Sequence, residues 1–406
     1  MAFKNREARV LIYSHDTFGL GHLRRCRAIA HALVEYFKNL SVLILSGSPI
    51  IGSFDFRSRV DFVRVPGVIK LRDGQYTPLN LHLDIDETLR MRASIIQHTA
   101  REFAPDVLIV DKEPLGLRGE ALNTMRLLRA RGARLVLGLR DVMDEPRLLV
   151  PEWRRKNVMP ALKHLYDEIW IYGLPQVCNP LEGIELPDKV RRKMIYTGYL
   201  RRYLAEGPPE RQLPEITRRP FLLVTPGGGG DGAGLIEWVL RAYESNEFIP
   251  FPALLVLGPF MPREQRADFI ARCERLRRVE AITFEANMEH LESNAVGVVA
   301  MGGYNTFCEI LSLDKRAVIV PRTAPRMEQF IRATRAEELG LVRVLKDDGR
   351  YEPAQMAAAL RALPLQPLPS NVVVPGLLEG LVNVNRLVAP WIEQPDNLAA
   401  RSAAMG

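Results

Sequence analysis

Residues 298–322 read VVAMGGYNTFCEILSLDKRAVIVPR. The apolar run 296–300 fits a buried strand, Gly302-Gly303 a turn, Tyr304 onward a helix, and 317–321 a second buried strand. Strands that are apolar throughout, joined by a helix, belong to a parallel sheet covered on both faces. The amides of Gly303 to Asn305 open the helix, and with the Thr306 hydroxyl they suit phosphate oxygens. Glu309 follows Thr306 by three residues and shares its helix face, where a carboxylate suits ribose hydroxyls better than phosphate. The same residues also fit an N-capped helix carrying a solvated glutamate. Further on, Pro321-Arg322 ends the strand and Glu328-Gln329 opens the next helix. That polar pair suits sugar hydroxyls, or a plain solvated helix face.

The pattern extends in both directions. Upstream, 221–225 and 254–257 read as buried strands, and downstream 341–345 reads as another. Between the first of these and its helix lies Thr225-Pro226-Gly227-Gly228-Gly229-Gly230-Asp231-Gly232. Four consecutive glycines cost conformational entropy that a surface turn rarely requires. After a strand they suit backbone amides wrapped around a diphosphate, with a flexible loop as the alternative. No GK[ST] follows, so a P-loop is excluded.

The N-terminal half repeats the alternation, with strands at 10–14, 42–45, 107–110, 135–139 and 169–172 and a helix at 21–37. Between the halves, 198–218 collects Gly198, Gly207, Pro208, Pro209, Pro214 and Pro220 nearby and reads as a linker. The expected architecture is therefore α/β with two Rossmann-like, doubly wound domains: 1–200, a linker at 201–218, and 219–395. The helical stretch 375–392 is expected to pack back on the N-terminal domain. Residues 394–406 show no periodicity.

A third glycine cluster, Gly19-Leu20-Gly21-His22, follows the first strand. Gly19 and Gly21 permit a tight turn, and the helix start offers free amides. No third glycine completes a dinucleotide fingerprint. His22 lies at the strand-to-helix rim, where open α/β sheets bind ligands, and an imidazole there can act as a general base or simply pack at the helix start. Asp111, Arg140 and Asp141 fall at expected strand ends, as acceptor-side groups or as ordinary loop ion pairs.

Composition narrows the function. With 406 residues, 47% hydrophobic and 25% charged, the chain suits two or three globular domains rather than disorder. Fifty-five Lys and Arg against 48 Asp and Glu give a net charge of +7, which suits anionic ligands. No helix-turn-helix, zinc-finger or RNP-like pattern accompanies that charge, so nucleic acid is not an expected partner. Four scattered cysteines form no CxxC pair, arguing against a zinc site and for a reducing compartment. The run 10–13 is too short for a signal core or a membrane span, so a cytoplasmic location is expected, with contact at the inner membrane face left open.

Together these residues resemble GT-B glycosyltransferases. The likeness extends to the lipid-linked N-acetylglucosaminyltransferases of peptidoglycan synthesis and to UDP-sugar hydrolases of pseudaminic acid synthesis. It rests on GLGHLRR at 19–25, on FEANM at 284–288, and on the ordered run of GGYNT, Glu309, VPR, Glu328-Gln329 and Arg332-Ala333. VDKEPLGLRGE at 110–120 and LRDVMDEP at 139–146 resemble a group of predicted glycosyltransferases. The resemblance implies two domains facing a cleft and a nucleotide-sugar donor, favouring UDP, held by the C-terminal domain. Gly227, Gly228, Gly229, Gly230, Gly302, Gly303, Asn305 and Thr306 would hold the diphosphate, and Glu309 the ribose. Backbone near Phe284 and Met288 would read the base, Glu328 and Gln329 would face the sugar, and Arg202 would reach the nucleotide. His22 would deprotonate a hydroxyl acceptor, small or lipid-linked, beside Gly19, Gly21, Asp111, Arg140 and Asp141. The scheme needs no metal or other cofactor, and the related enzymes imply inversion. A nucleotide-sugar hydrolase or epimerase would share the donor site. A catalytically idle sugar-nucleotide sensor is the reading from another class.

Overall fold

The structure is a computed structural model that describes residues 7–15, 21–71, 75–204, 213–228, 230–245 and 247–393. Backbone contacts divide the chain into two compact units. Unit 1 runs to Pro175, adds Asn179–Leu200, and resumes at Glu379; unit 2 comprises Gln176–Cys178 and Arg201–Leu378.

Unit 1 is built on strands β1 (Ala8–Ser14), β2 (Leu40–Ser46), β3 (Val60–Arg64), the hairpin β4 (Val68–Lys70) and β5 (Tyr76–Pro78), then β6 (Val107–Asp111), β7 (Arg134–Arg140), β8 (Glu168–Tyr172) and β9 (Met194–Tyr196). Among the described residues the main sheet is parallel, in the order β3-β2-β1-β6-β7-β8-β9. Val10, Leu11 and Ile12 are fully buried on both faces, which is why β1 reads as an unbroken apolar run. Helix α1 (Gly21–Tyr36) follows β1, and α2 (Ile85–Phe103) begins at Asp84, whose carboxylate accepts from the Glu87 amide at 2.8 Å.

Unit 2 carries β10 (Leu222–Thr225), β11 (Ala253–Val256), β12 (Val279–Ile282), β13 (Gly297–Ala300), β14 (Ala317–Ile319) and β15 (Arg343–Val344). These form a parallel sheet in the order β12-β11-β10-β13-β14-β15. Helices α3 (Ala233–Glu244), α4 (Tyr304–Ser312) and α5 (Glu328–Glu338) follow β10, β13 and β14. A core of Leu222, Val224, Leu255, Val299, Trp238 and Val239 packs under α3.

In each sheet the chain starts at a central strand, works to one edge, and returns beside its start. The reversal falls between β1 and β6 in unit 1 and between β10 and β13 in unit 2. Helices leave opposite faces there, so a crevice opens at the carboxyl ends of the two strands. Register places Tyr13 beside Val110 and Thr225 beside Ala300, which sets the loops after those strands next to each other.

Some expectations shift. The strand expected at 254–257 spans Ala253–Val256, and that at 341–345 shortens to Arg343–Val344. The edge strands β3, β9 and β12 carry exposed or half-buried residues; β3 and β12 are broken by charged residues and β9 is only three residues long, so they escaped the sequence reading. The helix expected at 375–392 starts later, as α6 (Gly380–Glu393), and belongs to unit 1. Within the expected linker, 201–204 is irregular, Glu215–Arg218 forms a 3-10 turn, and 205–212 lies outside the described residues.

Candidate functional site

In unit 1 the first turns of α1 and the end of β6 bring three side chains together. His22 is the second residue of α1, and Asp111 is the last residue of β6. The His22 Nδ1 pairs with Asp111 Oδ2. Arg25, one helical turn beyond His22, donates from Nε to Asp111 Oδ1 at 2.8 Å and from Nη2 to Oδ2 at 2.7 Å. Arg25 and Asp111 are 1% and 2% exposed, whereas the His22 side chain keeps 15%. The imidazole is thus the accessible part of the trio.

Burial holds His22 down to about 4; the Asp111 carboxylate opposes that shift, and the Arg25 and Lys112 cations add to it. Burial would raise Asp111, but the charges of Arg25 and His22 outweigh it and hold the carboxyl well below its usual range. At neutral pH the pair is therefore an imidazole and a carboxylate. Nδ1–H donates to Asp111, and Nε2 keeps a lone pair able to take a proton.

The surroundings fix this geometry. His15 follows β1, with its ring centroid 5.6 Å from that of His22, edge to face. Glu113 accepts from Lys156 Nζ at 2.7 Å. Deeper in, Arg92 on α2 donates to both oxygens of Glu120 at 2.7 and 2.6 Å, and the Tyr13 hydroxyl donates to Glu120 at 2.6 Å. The Leu117 amide donates to that hydroxyl at 3.0 Å, so the stretch after β6 is tied to β1 at Leu117 and Glu120. Asp141 is fully buried and accepts from the Tyr199 hydroxyl at 2.8 Å. A Cβ on Gly173 would lie 2.4 Å from the Asp141 Cβ, so only glycine leaves that room. Arg140 closes β7 and is half-buried, and Gly21 opens α1. Gly19 lies outside the described residues.

Unit 2 holds the residues expected on the donor side. After β10, the Gly227 amide donates to Thr225 Oγ1 at 3.1 Å, and Gly227 adopts φ +84° with open space around it. Gly228 accepts from the Phe260 amide at 3.0 Å, and Gly230 is exposed in the turn before α3. Gly229 lies outside the described residues. After β13, Gly302 adopts φ +75° and Gly303 forms the N-terminal boundary of α4 without a side-chain cap. Asn305, Thr306 and Glu309 are all buried, Glu309 at 1% exposure, which removes the solvated-glutamate reading.

Arg202 joins this loop. Its Nη2 donates to Asn305 Oδ1 at 2.7 Å, and its amide to Ser312 Oγ at 2.9 Å. Its Nη1 is buried and has no hydrogen-bond partner among the described residues. Glu328 and Gln329 are buried too, so the solvated-face reading fails for them as well. Glu328 accepts from Arg322 Nη2 at 2.5 Å, Arg322 also pairs with Asp231, and Gln329 Oε1 accepts from the Arg322 amide at 3.2 Å. Arg322 thereby ties the β10–α3 turn to the start of α5. Phe284 is half-buried, and the Met288 side chain packs in a core with Phe221, Leu254 and Leu291. Among the described residues no group of three His, Cys, Asp or Glu side chains is placed to hold a metal, and no helix is long and apolar enough to cross a membrane.

Glycine loops follow both switch strands of unit 2, with Arg202 and the N-terminus of α4 beside the second of them. Residues 223–369 match the glycosyltransferase family 28 C-terminal domain. The fold is GT-B. A transferase of Alkaliphilus metalliredigens (strain QYMF), UDP-N-acetylglucosamine--N-acetylmuramyl-(pentapeptide) pyrophosphoryl-undecaprenol N-acetylglucosamine transferase, is 24% identical over 198 residues. That match covers 48% of this chain and 53% of the relative, so the chain spans about half the length of this curated relative. The GT-B fold is shared with Acinetobacter baumannii MurG, at 13% identity and a TM-score of 0.51 over 93% of this chain and 95% of that one. It is shared also with Medicago truncatula UGT71G1 complexed with UDP-glucose, at 14% identity and a TM-score of 0.61 over 97% and 100%.

Sequence reasoning gave no role to Arg25, Arg92, Glu120, Arg322 or Arg332. Arg332 is fully buried, donates from Nη1 to the Gly302 carbonyl at 3.0 Å, and lies over the Tyr304 ring. The signal for Arg25 was its i+3 spacing from His22 on one helix. Glu120 and Arg92 are 28 residues apart, and nothing local pairs them.

Proposed function

We propose that the protein is a glycosyltransferase moving a sugar from a nucleoside diphosphate sugar, with UDP favoured, to a hydroxyl acceptor. The observation that carries this reading is the family 28 C-terminal domain in unit 2, with both of its glycine loops at the sheet's switch point. The Alkaliphilus enzyme is named for a uridine sugar and the Medicago enzyme is complexed with one, which supports UDP, while the glycosyltransferase VinC, similar in fold, is in complex with dTDP.

In this scheme the bond between the anomeric carbon and the β-phosphate oxygen breaks, and the bond to the acceptor oxygen forms. The acceptor proton passes to His22 Nε2, and the nucleoside diphosphate leaves with the bonding electron pair. Its growing charge meets the α4 N-terminus, the glycine-loop amides and Arg202, which supply positive potential without a metal. Direct attack by the acceptor on the face opposite the leaving group inverts the anomeric centre. Glu309 takes the ribose, backbone at 284–288 the base, and Glu328 and Gln329 the sugar. The acceptor is a small or lipid-linked alcohol.

Calorimetric titration with UDP, GDP, TDP and ADP tests the donor assignment. UDP is expected to bind tightest, and Arg202→Ala to weaken it about tenfold, the scale of one lost charged hydrogen bond. Absence of binding by all four would end this reading. Product analysis with UDP-sugars then separates transfer from hydrolysis: sugar released at the same rate with and without acceptors would make the protein a hydrolase.

A further inference from the structure

Arg25 occupies the apolar stripe of α1, with Cys26, Ile29 and Leu33, yet it is 1% exposed. Burying a guanidinium costs several kcal/mol unless its partners offset the loss. It engages the Asp111 carboxylate through both oxygens, in the fork geometry that only arginine offers. We propose that Arg25 is the positioning residue of the His22–Asp111 pair: its guanidinium locks the Asp111 carboxylate so that it receives the His22 Nδ1–H and leaves Nε2 as the reacting nitrogen. The proposal rests on the reading of His22 as the base.

Two features make this more than a structural ion pair. With both oxygens held, the carboxylate cannot rotate away from the imidazole. Arg25 Nη2 also lies 3.1 Å from His22 Nδ1. A guanidinium only donates, so with Nδ1 protonated this approach is no hydrogen bond, and it is the positive charge of Arg25 that opposes a second proton on the ring. Among the described residues, the other charged or titratable groups facing His22 are Asp111 and Lys112 at the end of β6 and His15 after β1, while Tyr172 of β8 acts on Asp111 and Arg25. Of these, only Asp111 favours the imidazolium. Arg25 cancels much of that pull, and the trio is electrically neutral when His22 is neutral.

The test is nitrogen-15 NMR of the histidine side chains in the full chain without substrate, comparing wild type, Arg25→Gln and Arg25→Lys, with His22→Gln to assign the signal. Wild type is expected to show the Nδ1-protonated tautomer and a midpoint near 4. Arg25→Gln should give mixed tautomers and move the midpoint up by about one to two pH units, since the pull of Asp111 is then opposed only by burial and the remaining cation Lys112. Arg25→Lys keeps the charge but not the fork, so the midpoint should stay near wild type while the tautomer becomes mixed. A wild-type tautomer and midpoint in Arg25→Gln would overturn the proposal. If that variant does not fold, a wild-type tautomer in Arg25→Lys overturns it alone. The measurement needs no turnover, so a chain that fails to transfer sugar would sink the reaction and leave this result standing.

Discussion

At the scale of single residues, the proposed chemistry centres on His22. Its Nδ1 is engaged by Asp111, its pKa is held to about 4, and its ring is the exposed member of a buried trio. His22→Gln should therefore lower turnover by about 10²–10⁴, the usual contribution of a general base, while UDP affinity stays within twofold because no donor ligand is removed. Equal losses in both would move His22 from chemistry to binding. The pH dependence follows from the sign of the shift. A base works when neutral, and a pKa lowered from 6.5 to about 4 keeps His22 neutral down to about pH 5. The acid limb of kcat/KM in the free enzyme should fall as pH drops through about 4. A limb near 6.5 would mean that the imidazolium is not disfavoured by burial as the structure implies.

At the scale of elements, the two glycines before α4 make a controlled pair. Gly302 has φ +75°, and an added Cβ would lie 2.7 Å from Ile319 Cγ2; Gly303 has φ −56° and open space. Gly302→Ala should cost about 1–3 kcal/mol of stability through strain and crowding, visible as a lowered urea midpoint. Gly303→Ala should leave the midpoint within about 0.5 kcal/mol, yet weaken UDP binding because the methyl occupies the space before the helix amides. Unchanged affinity in Gly303→Ala would remove the diphosphate from this helix. The comparison also marks what was legible in the sequence. Strands buried on both faces, such as β1 and β13, announce themselves as apolar runs, and glycines at their ends mark the loops. Arg332 and Arg322 were legible only as motif letters, because the carbonyl and carboxylates they hold come from other loops. The pairing of Arg92 with Glu120 depends on α2, which packs its Arg92, Ile96 and Ala100 inward from a sequence dense in polar residues.

At the scale of the whole molecule, the chain's last described helix belongs to the unit formed by its beginning. Gly380 donates its amide to the Tyr199 carbonyl at 3.1 Å, Asn383 Nδ2 donates to the Thr197 carbonyl at 2.8 Å, and the Trp391 ring is parallel to Trp170 at 6.3 Å. A Cβ at Gly380 would meet the Gly198 and Tyr199 carbonyls at 2.6 Å, so the helix start is seated against backbone with no room to spare. Leu381, Val384 and Val388 are buried along the same helix face. Ending the chain after Leu378 removes these contacts from unit 1 and none of the donor-side residues from unit 2. Each buried aliphatic side chain lost is worth about 1.5–3 kcal/mol, so three of them approach the whole stability of a domain. The shortened protein should therefore lose hydrogen-exchange protection in β8 and β9 and lose turnover. Its UDP affinity, read by calorimetry, should stay within twofold of the full chain. Loss of UDP binding in a chain whose α3 and α4 amides remain protected would mean that the donor site draws on unit 1, and the assignment of the diphosphate to unit 2 alone would fall.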